Sequence, residues 1–448
     1  MIVRRLLIAN RGEIAVRVIR TCRRLGITPI LAASSADLDS VAARLAHEVV
    51  CLGPPRSLDS YLNIDAVVAA AVRVRADAVH PGYGFLAENP RLAAACEAAG
   101  IAFVGPTPAQ LAALGDKLNA RRHAVAAGLP VVPGGEADDL ESARTLAAAI
   151  GYPVLIKAVA GGGGRGMRHA HTDAELEQSL PRAMAEAAAA FGDGRIYLER
   201  FVTAGRHIEV QLLGDGATVI HLGTRDCSIQ RRYQKLLEEA PAPGLAEDLR
   251  AGMEAAAIAL GRHLGYRGLG TVEFLFDCEG GRFYFLEMNA RIQVEHPVTE
   301  AICGRDLVEE QLAVAEGRRL RLSQDAVRLA GHAIECRLNA EDWLDGFRPS
   351  PGRVTCARFA AGEGIRLDGH VQADSQIPPY YDSLLAKLIV HGPDRPAALA
   401  RMAGALERCE IGGVANTLPM HRALLAHPAF AAGGVTTGFF ERFMAEQA

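Results

Sequence analysis

A stretch of ten residues in the second half of the chain, EMNARIQVEH at positions 287–296, carries an unusual density of polar side chains. The alternate positions hold Glu287, Asn289, Arg291, Gln293 and Glu295. In an extended chain this period of two places all five side chains on one face. A solvated edge strand could show the same alternation, but edge strands usually carry lysine, threonine or mixed charges. We therefore expect a strand whose polar face performs chemistry.

A further carboxylate, Glu273, stands alone in the apolar segment TVEFLF. An unpaired buried charge is very costly, so this side chain needs a partner or a cation. With Glu287 and Asn289 it offers the hard oxygen ligands that bind magnesium, completed by phosphates and water. The alternative is an ion pair between Glu273 and an arginine.

The segment AGGGGRGM at 160–167 follows a strand-like run and contains G-x-G-x-x-G. The residues after it, MRHAHTDAELEQ, do not form an apolar helix, so we reject a dinucleotide-binding turn. A Walker A loop is excluded because no Gly-Lys-Ser/Thr follows. Successive glycines allow backbone N–H groups to approach phosphate oxygens, which favours a mobile flap over a nucleotide. A flexible tip without a ligand is the alternative.

Lysine is rare in this chain. The 48 basic residues include only four lysines, namely Lys117, Lys157, Lys235 and Lys387. A chain so biased towards arginine keeps lysine where a compact ammonium group is needed. Lys157 lies on the strand-like run just before the glycine segment and Lys117 follows the turn ALGD, and two ammonium groups near such a flap suit a triphosphate. Lys235 belongs to DCSIQRRYQKLLEEAP, which could also be a solvated helix face.

The elements that position these residues change in type along the chain. LLIAN, EIAVRVIRTCRRLG and ITPILAAS read as a β-α-β unit, and ADAVH and IAFVG extend it. This pattern predicts a parallel, doubly wound sheet over roughly the first 110 residues, with ligands at the carboxyl ends of its strands. Helices and strands alternate from about 115 to 205, and strands dominate from 206 to about 300. A strand-rich segment closed by helices follows from about 332.

Composition narrows the class of protein. Half of the 448 residues are hydrophobic and the formal charge is −4, so neither nucleic acid nor an anionic membrane surface is expected as a partner. No apolar run approaches the ~18 residues needed to span a bilayer, and the N-terminal apolar run is too short for a signal peptide. Nine scattered cysteines without a CxxC pair fit reduced thiols. We expect a cytoplasmic protein.

Taken together, the motifs resemble those of biotin carboxylases, the ATP-grasp components of biotin-dependent carboxylases. The matching stretches are IANRGEIAVRVIR, HPGYGFLAEN, GDK, GGGGRGM, RDCSIQRRYQK, EEAPAPG, EFLF, EMNARIQVEHPVTE, ECRLNAED and PPYYDS. They span the chain nearly end to end. The resemblance implies an α/β fold, α+β overall, with a Rossmann-like domain at 1–114 and an ATP-grasp domain at 115–330, whose lid covers about 131–203. A strand-rich C-terminal biotin carboxylase domain at 331–448 follows.

The resemblance also implies roles for individual residues. The residues implied to contact the nucleotide are Lys117, Lys157, Gly163, Gly164, Arg165, Gly166, Met167, Glu199, Arg200, Phe201, Val202, His207 and Gln230. Magnesium or manganese would be bound by Glu273, Glu287 and Asn289. Bicarbonate would be bound by Lys235, Arg291, Gln293, Val294 and Glu295, and Glu295 would act as the base. Arg337 would stabilise the enolate-like oxygen of biotin, with Tyr83 nearby.

The implied reaction makes carboxyphosphate from ATP and bicarbonate and then carboxylates biotin. No Met-Lys-Met biotin-attachment motif occurs and the chain ends at residue 448 without a carboxyltransferase domain, so we expect biotin on a separate carrier protein and a separate carboxyltransferase. A homodimer serving acetyl-CoA carboxylase in fatty acid biosynthesis is the leading expectation. The alternatives are the corresponding component of another acyl-CoA carboxylase, an ATP-grasp ligase that forms carbamoyl phosphate or peptides, and a catalytically weak nucleotide-binding paralogue.

Four features depart from the common pattern of the family. Tyr233 stands where histidine is common, Thr224 replaces a frequent glutamate, and Ala290 replaces threonine. The loop EDWLDGFRPS is longer than in many relatives. None of these changes removes a proposed catalytic group, but together they weaken the assignment to acetyl-CoA carboxylase.

Overall fold

A five-stranded sheet forms the N-terminal part of the chain in the computed structural model, which describes residues 1–159 and 167–447. Its strands are β1 (Arg5–Ile8), β2 (Thr28–Ser34), β3 (Glu48–Gly53), β4 (Ala78–His80) and β5 (Ala102–Phe103). The helices are α1 (Gly12–Leu25), α2 (Val41–Leu45), α3 (Ile64–Arg73), α4 (Pro90–Ala98) and α5 (Pro108–Gly115). All strand pairs are parallel, in the order β3-β2-β1-β4-β5. Apolar side chains are buried on both faces, so the predicted doubly wound sheet is confirmed.

The strand order reverses between β1 and β4, which is where such sheets bind ligands. The two loops that leave these strands are tied together by Asn10, whose Nδ2 donates to the carbonyls of Pro81 and Tyr83 over 2.7 Å each. Gly82 between them has φ +62°, and a Cβ there would lie 2.7 Å from Asn10 Nδ2. Glycine is therefore required for this turn, and the turn places Tyr83 at the sheet edge.

A small antiparallel sheet follows the first domain. The elements are α6 (Lys117–Ala126), β6 (Gly134–Ala137), α7 (Leu140–Ile150), β7 (Val154–Ala158), β8 (Arg168–Ala170), α8 (Asp173–Phe191) and β9 (Ile196–Arg200). The strand order is β6-β9-β7-β8, and a separate apolar core lies between the strands and α7 and α8. The sequence before the glycine segment ends in β7, so Lys157 lies on a strand as predicted.

The largest sheet is antiparallel throughout and has eight strands, in the order β14-β13-β10-β11-β12-β15-β22-β20. Its first part contains β10 (Gly205–Asp215), β11 (Val219–Arg231), β12 (Gln234–Ala240), α9 (Glu247–His263), β13 (Arg267–Asp277), β14 (Arg282–Asn289), α10 (His296–Cys303) and α11 (Leu307–Ala315). On β10 the even-numbered Ile208, Val210 and Leu212 join the core that includes α9. The polar side chains of His207 and Glu209 consequently lie on the opposite face.

The second part of the chain completes this sheet. Its elements are β15 (His332–Asn339), β16 (Glu341–Asp342), β17 (Arg348–Pro349), β18 (Gly352–Arg353), β19 (Cys356–Arg358), β20 (Ile365–Gly369), β21 (Gln376–Ile377), β22 (Leu384–Gly392), α12 (Arg395–Glu407), β23 (Glu410–Gly412), α13 (Leu418–Ala426), α14 (Pro428–Ala432) and α15 (Phe439–Gln447). Because β12 pairs with β15, residues from both sides of position 330 share one continuous sheet. Within the described ranges, no helix is both long and apolar enough to cross a membrane.

One alternative and one expectation about local structure are wrong. The segment DCSIQRRYQKLLEEAP, for which a solvated helix face was the alternative, forms the β11–β12 hairpin, whose turn residues Arg232 and Tyr233 have φ values of +47° and +67°. The extended conformation predicted for 287–296 ends at Asn289, after which the chain turns into α10. The polar residues after Asn289 therefore do not share a strand face with Glu287, and they reach the site through a turn and the start of α10.

Candidate active site

A cavity of about 850 Å³ opens between the small sheet and the polar face of the eight-stranded sheet. Every candidate site residue named above that the structure describes lines it, from Lys117 and Met167 to Arg337 and Tyr83. The predicted flap residues Gly163, Gly164, Arg165 and Gly166 lie outside the described residues. The fold therefore gathers groups that are up to about 250 positions apart in the sequence.

A row of carboxylates crosses the floor of this cavity. Glu209, Glu273 and Glu287 are direct neighbours on the adjacent strands β10, β13 and β14. The pairing of β13 with β14 shifts by one residue beside Glu273, which indicates a bulge at Leu286 and aligns Glu287 with Glu273. Like charges directly opposite one another destabilise a sheet, so this row requires positive charge from elsewhere.

Lys235 supplies part of that charge. Its Nζ donates to Glu209 and, over 2.9 Å each, to Glu273 and Glu295, while its side chain is only 13% exposed. Burial alone would lower the pKa of Lys235, but the three carboxylates outweigh it and raise the pKa well above its ordinary value. The ammonium group therefore stays charged at the centre of the site.

His207 adds a second cation beside the same row. Its Nε2 lies 3.0 Å from Glu273 Oε2 and 3.4 Å from Glu209 Oε1. Burial opposes the charged ring, yet Glu273 and Glu209 raise the pKa of His207 to about 9. On the other side, Arg225 is fully buried and its Nε and Nη2 donate to Glu209 Oε2 over 2.9 and 2.8 Å.

Glu273 and Glu287, which are opposed on β13 and β14, are the candidate pair for a divalent cation. Burial and the neighbouring charge of Glu273 raise the pKa of Glu287, which means that its carboxylate lacks sufficient positive charge nearby. A divalent cation between the two would relieve this, so the residues fit magnesium or manganese. Asn289 donates Nδ2 to Glu273 Oε1 over 2.8 Å, so its amide must turn about its last torsion to offer oxygen.

The chain beyond Asn289 leaves the sheet but stays beside the cavity. Arg291 donates Nε to Glu88 Oε2 and Nη2 to Asn289 Oδ1, over 2.9 and 2.6 Å. Gln293 is buried, donates Nε2 to Glu273 Oε1 over 2.9 Å and accepts from Arg225. A turn then brings Glu295 to the N-cap position of α10. The predicted grouping thus holds, but a turn and a helix N-terminus achieve it, not one extended strand face.

Glu295 is held between two cations. Lys235 donates to its Oε1 and Arg337 Nη2 to its Oε2, each over 2.9 Å. Burial would raise the pKa of Glu295, but Lys235, Arg337 and Arg225 lower it. The carboxylate is therefore ionised at neutral pH, as a general base must be before it accepts a proton.

The edge of the N-terminal sheet closes the cavity near Arg337. The Tyr83 hydroxyl donates to Glu13, and Lys387 Nζ lies 3.1 Å from Glu13 Oε1. Lys387 is completely buried and also donates to the Val294 carbonyl over 2.6 Å. This lysine does not line the cavity and instead joins three segments behind it.

The opposite end of the cavity carries the remaining lysines. Lys117 is the first residue of α6, and Lys157 pairs with Glu199 of the adjacent strand β9. The segment 199–202 runs from β9 towards β10 and places backbone groups and Phe201 on the wall. Tyr233 also lines this end, with 54% of its surface exposed. Two ammonium groups on a mostly apolar wall suit a purine nucleotide with its phosphates directed inward.

The charged residues that contact the predicted side chains from outside the cavity lining include four that were not predicted from the sequence. Glu209 and Arg225 are fully buried, Glu88 pairs with Arg291, and Glu238 contacts Arg337. The signal for Glu209 was available, because HIEVQ alternates charged and apolar residues in the same way as the TVEFLF segment that identified Glu273. Arg225 gave no such signal, because Asp226 follows it directly in the strand VIHLGTRDCSIQR.

Three family profiles match consecutive parts of the chain. They are described as the biotin carboxylase N-terminal domain at residues 2–111, the carbamoyl-phosphate synthase L chain ATP binding domain at 116–323, and the biotin carboxylase C-terminal domain at 335–442. Together they cover most of the 448 residues.

Individual relatives match over almost the full length. A biotin carboxylase of Nostoc sp. is 52% identical over 98% of both chains. A pyruvate carboxylase subunit of Methanothermobacter thermautotrophicus is 48% identical over 98% of this chain and 90% of its own. Among solved structures, the biotin carboxylase domain dimer of Hydrogenobacter thermophilus 2-oxoglutarate carboxylase, in complex with MgADP, ADP and bicarbonate, is 45% identical. It has a TM-score of 0.93 and covers 99% of this chain and 98% of its own.

Proposed function

This chain belongs to the biotin carboxylase family and is a ligase, and we propose that it carboxylates biotin borne on a separate carrier protein, with consumption of ATP and bicarbonate. The observation that carries the proposal is the cavity in which Glu295 stays ionised between Lys235 and Arg337, beside the carboxylate row. One pocket thereby combines a metal-binding end, an anion site and a base.

Nucleotide binding is assigned to the end of the cavity between the two sheets. Lys117 and Lys157 would neutralise phosphate oxygens, and the 199–202 segment would border the base. His207, charged beside Glu273, would face the phosphates from the strand β10. Glu273, Glu287 and Asn289 would hold magnesium or manganese, which supplies a positive charge to polarise the transferred phosphoryl group.

Bicarbonate is assigned to the centre of the cavity. It is a weak nucleophile, so it needs both a fixed anion site and a base. Lys235, Arg291 and Gln293 supply hydrogen-bond donors around the turn that follows β14, and the Val294 segment closes it. Glu295 then removes the proton as an oxygen of bicarbonate attacks the γ-phosphorus and the bond to ADP breaks. The products are ADP and carboxyphosphate.

The second step consumes the mixed anhydride. Carboxyphosphate breaks at its carbon–oxygen bond into CO2 and phosphate, and the phosphate takes the proton from N1′ of biotin. The resulting enolate-like ureido anion attacks CO2 to give carboxybiotin. Arg337 would stabilise that anion, because its Nε is buried without an acceptor among the described residues and retains donor capacity. Tyr83 lies on the same wall.

Replacement of Arg337 separates the two half-reactions. In Arg337→Ala, biotin carboxylation should fall by about 10²-fold or more, since one preorganised donor is lost from the transition state. The affinity for ATP should change less than about threefold, because Arg337 is not one of the side chains assigned to nucleotide binding. Carboxybiotin formation from labelled bicarbonate and nucleotide binding by calorimetry measure the two effects. Equal loss of both activities would contradict the assignment of Arg337.

For the acyl acceptor, we propose acetyl-CoA and hence a role in fatty acid biosynthesis. The support is the 52% identity to a protein named simply as biotin carboxylase. A pyruvate or 2-oxoacid carboxylase is the second candidate, favoured by the similarity to components of such enzymes. Purification of the protein with its natural carrier and carboxyltransferase, followed by assay with acetyl-CoA, pyruvate and 2-oxoglutarate, decides between them.

The assembly and location follow the same reasoning. A homodimer is proposed because the 2-oxoglutarate carboxylase domain is described as a dimer. A cytoplasmic location is supported by nine cysteines that are all free thiols, as expected in a reducing compartment. The domain boundaries 1–114, 115–330 and 331–448, with a lid at about 131–203, remain our proposed division of the chain.

A further inference from the structure

Beneath Arg337, two glutamates of neighbouring strands occupy one buried site that the reaction above does not use. Glu238 of β12 and Glu335 of β15 are direct partners in the antiparallel register, and both have no solvent-exposed surface. Side chains at directly opposed positions lie within about 5.5 Å at their Cβ atoms. Two carboxyl groups therefore meet inside the sheet, away from water.

The contacts of the two groups differ. The oxygens of both groups lack a hydrogen-bond partner of good geometry among the described residues, but Arg337 Nη2 lies 2.5 Å from Glu238 Oε1, so Glu238 has a cationic partner. No described cation lies within 4.0 Å of Glu335. Lys387, the cation on the neighbouring strand β22, is engaged by Glu13 and the Val294 carbonyl.

Four other charged side chains lie near Glu238 and Glu335, on the strands and the helix packed around them. They are Arg337 on β15, Lys235 on β12, Lys387 on β22 and Glu295 at the start of α10. Lys235 and Arg337 are already shared with Glu295. Each of the three cations already contacts other carboxylates, so an ionised Glu335 beside an ionised Glu238 would have no cation of its own, at a large desolvation cost.

We propose that Glu335 is a neutral carboxylic acid and that Glu238 is the ionised partner that positions Arg337 for biotin. The proposal rests on the assigned role of Arg337 in the proposed function. Carboxyl pairs at such short range retain one proton, and the group without a cation is the one that keeps it. Burial raises the pKa of Glu335 well above its usual range, whereas that of Glu238 rises only to about 7.

The positioning role has a geometric reason. Arg337 Nη2 contacts Glu238 from within the sheet and Glu295 from the cavity side. Without the charge of Glu238, the guanidinium would be drawn towards Glu295 alone. A neutral Glu335 leaves the Glu238–Arg337 pair intact, whereas an ionised Glu335 would compete for the guanidinium.

Two isosteric substitutions distinguish the members of the pair. Glu335→Gln replaces a neutral acid by a neutral amide and should keep kcat/KM for biotin within about threefold of the unmodified enzyme. Glu238→Gln removes the partner of Arg337 and should lower kcat/KM for biotin by about tenfold or more, with the KM for ATP unchanged. Glu363→Gln, at an exposed position, is the matched control.

Infrared spectroscopy observes the proton directly. At pH 7 the difference spectrum between the wild-type protein and Glu335→Gln should contain the C=O stretching band of a buried protonated carboxyl group, because bands of other protonated carboxyl groups, such as Glu254, are common to both proteins. Thermal midpoints establish that each variant folds, and Glu335→Asp provides a second difference spectrum if Glu335→Gln does not. Equal damage to biotin kinetics by both glutamine substitutions, or a difference spectrum without that band, would overturn the proposal. An enzyme that never carboxylates biotin would refute the proposed function yet leave the infrared result decisive.

Discussion

At the scale of single residues, charge balance explains which side chains the site contains. Glu209 and Glu273 of neighbouring strands share Lys235 with Glu295, and the remaining imbalance falls on Glu287 beside Glu273. The rarity of lysine in the sequence was informative, because Lys117, Lys157 and Lys235 all line the cavity. The fourth, Lys387, has a structural position instead. A compact ammonium group on a thin stem can contact several carboxylates from one point, as Lys235 does.

Substitution of Glu287 tests the metal site. In Glu287→Gln, the magnesium concentration for half-maximal activity should rise about 10-fold to 100-fold, as is typical when a metal site is impaired. Without metal, the same variant should unfold at a higher temperature than the wild type, because the repulsion with Glu273 is gone. Glu279→Gln, exposed at the turn of the same hairpin, is the control and should change neither. An unaltered magnesium requirement in Glu287→Gln would exclude this carboxylate as a ligand.

Residue identities could be predicted where a charge interrupts an apolar strand, as at Glu273. Their contacts could not be predicted, because they depend on register. The pairing of Glu88 with Arg291 joins residues about 200 positions apart, and Glu238 meets Arg337 only because β12 pairs with β15. A single sequence contains no signal for such pairings.

At the scale of elements, one alternating run of polar residues spans two backbone conformations, a strand and then a turn that leads into a helix. Glu287 and Asn289 share a strand face, as the period of two predicts. Gln293 and Glu295 reach the cavity through a turn and the first residues of α10, where Pro297 occupies the first turn. Proline is common there because it lacks the N–H that a helix start leaves unused. The proline after His296 was the available sequence sign that the strand had ended.

The partly buried carboxyl group of Glu254 on α9 leads to a prediction about how stability depends on pH. Burial raises the pKa of Glu254 from 4.5 to about 7, and the nearest histidine, His221, turns Nδ1 towards it at 3.6 Å. That nitrogen accepts from the Gly223 N–H, so it offers the carboxylate no proton. The folded state therefore binds the proton of Glu254 more tightly than the unfolded chain does. This contribution to stability is complete below about pH 4.5 and is lost as the pH rises through about 7.

Glu254→Gln should consequently stabilise the protein at alkaline pH. The gain should grow between about pH 4.5 and pH 7 and then stay constant, at ~1 kcal/mol because the group is partly solvated. Thermal unfolding at several pH values measures it. Glu247→Gln, in the exposed first turn of the same helix, should give no gain, since Arg250 favours its charged form. A pH-independent effect of Glu254→Gln would contradict the account.

At the scale of the whole molecule, the fold class and the order of its parts could be predicted, because β-α-β patterning and strand-rich segments are local signals. The continuity of one eight-stranded sheet across position 330 could not be predicted, because it depends on the pairing of β12 with β15, which are far apart in the sequence. The buried Lys387 joins the N-terminal loop through Glu13, the turn after β14 through Val294, and its own strand β22. The proposed catalytic groups thus lie where all parts of the chain meet.

The central claim is that this site activates bicarbonate by attack on the γ-phosphate of ATP. Bicarbonate labelled with oxygen-18 tests it directly in the presence of ATP, magnesium and biotin, with the phosphate product analysed by mass spectrometry. Because the bridging oxygen of carboxyphosphate stays on phosphorus, the account predicts one labelled oxygen in each phosphate released, and none in the absence of bicarbonate turnover. Unlabelled phosphate, whose fourth oxygen comes from solvent, would contradict it.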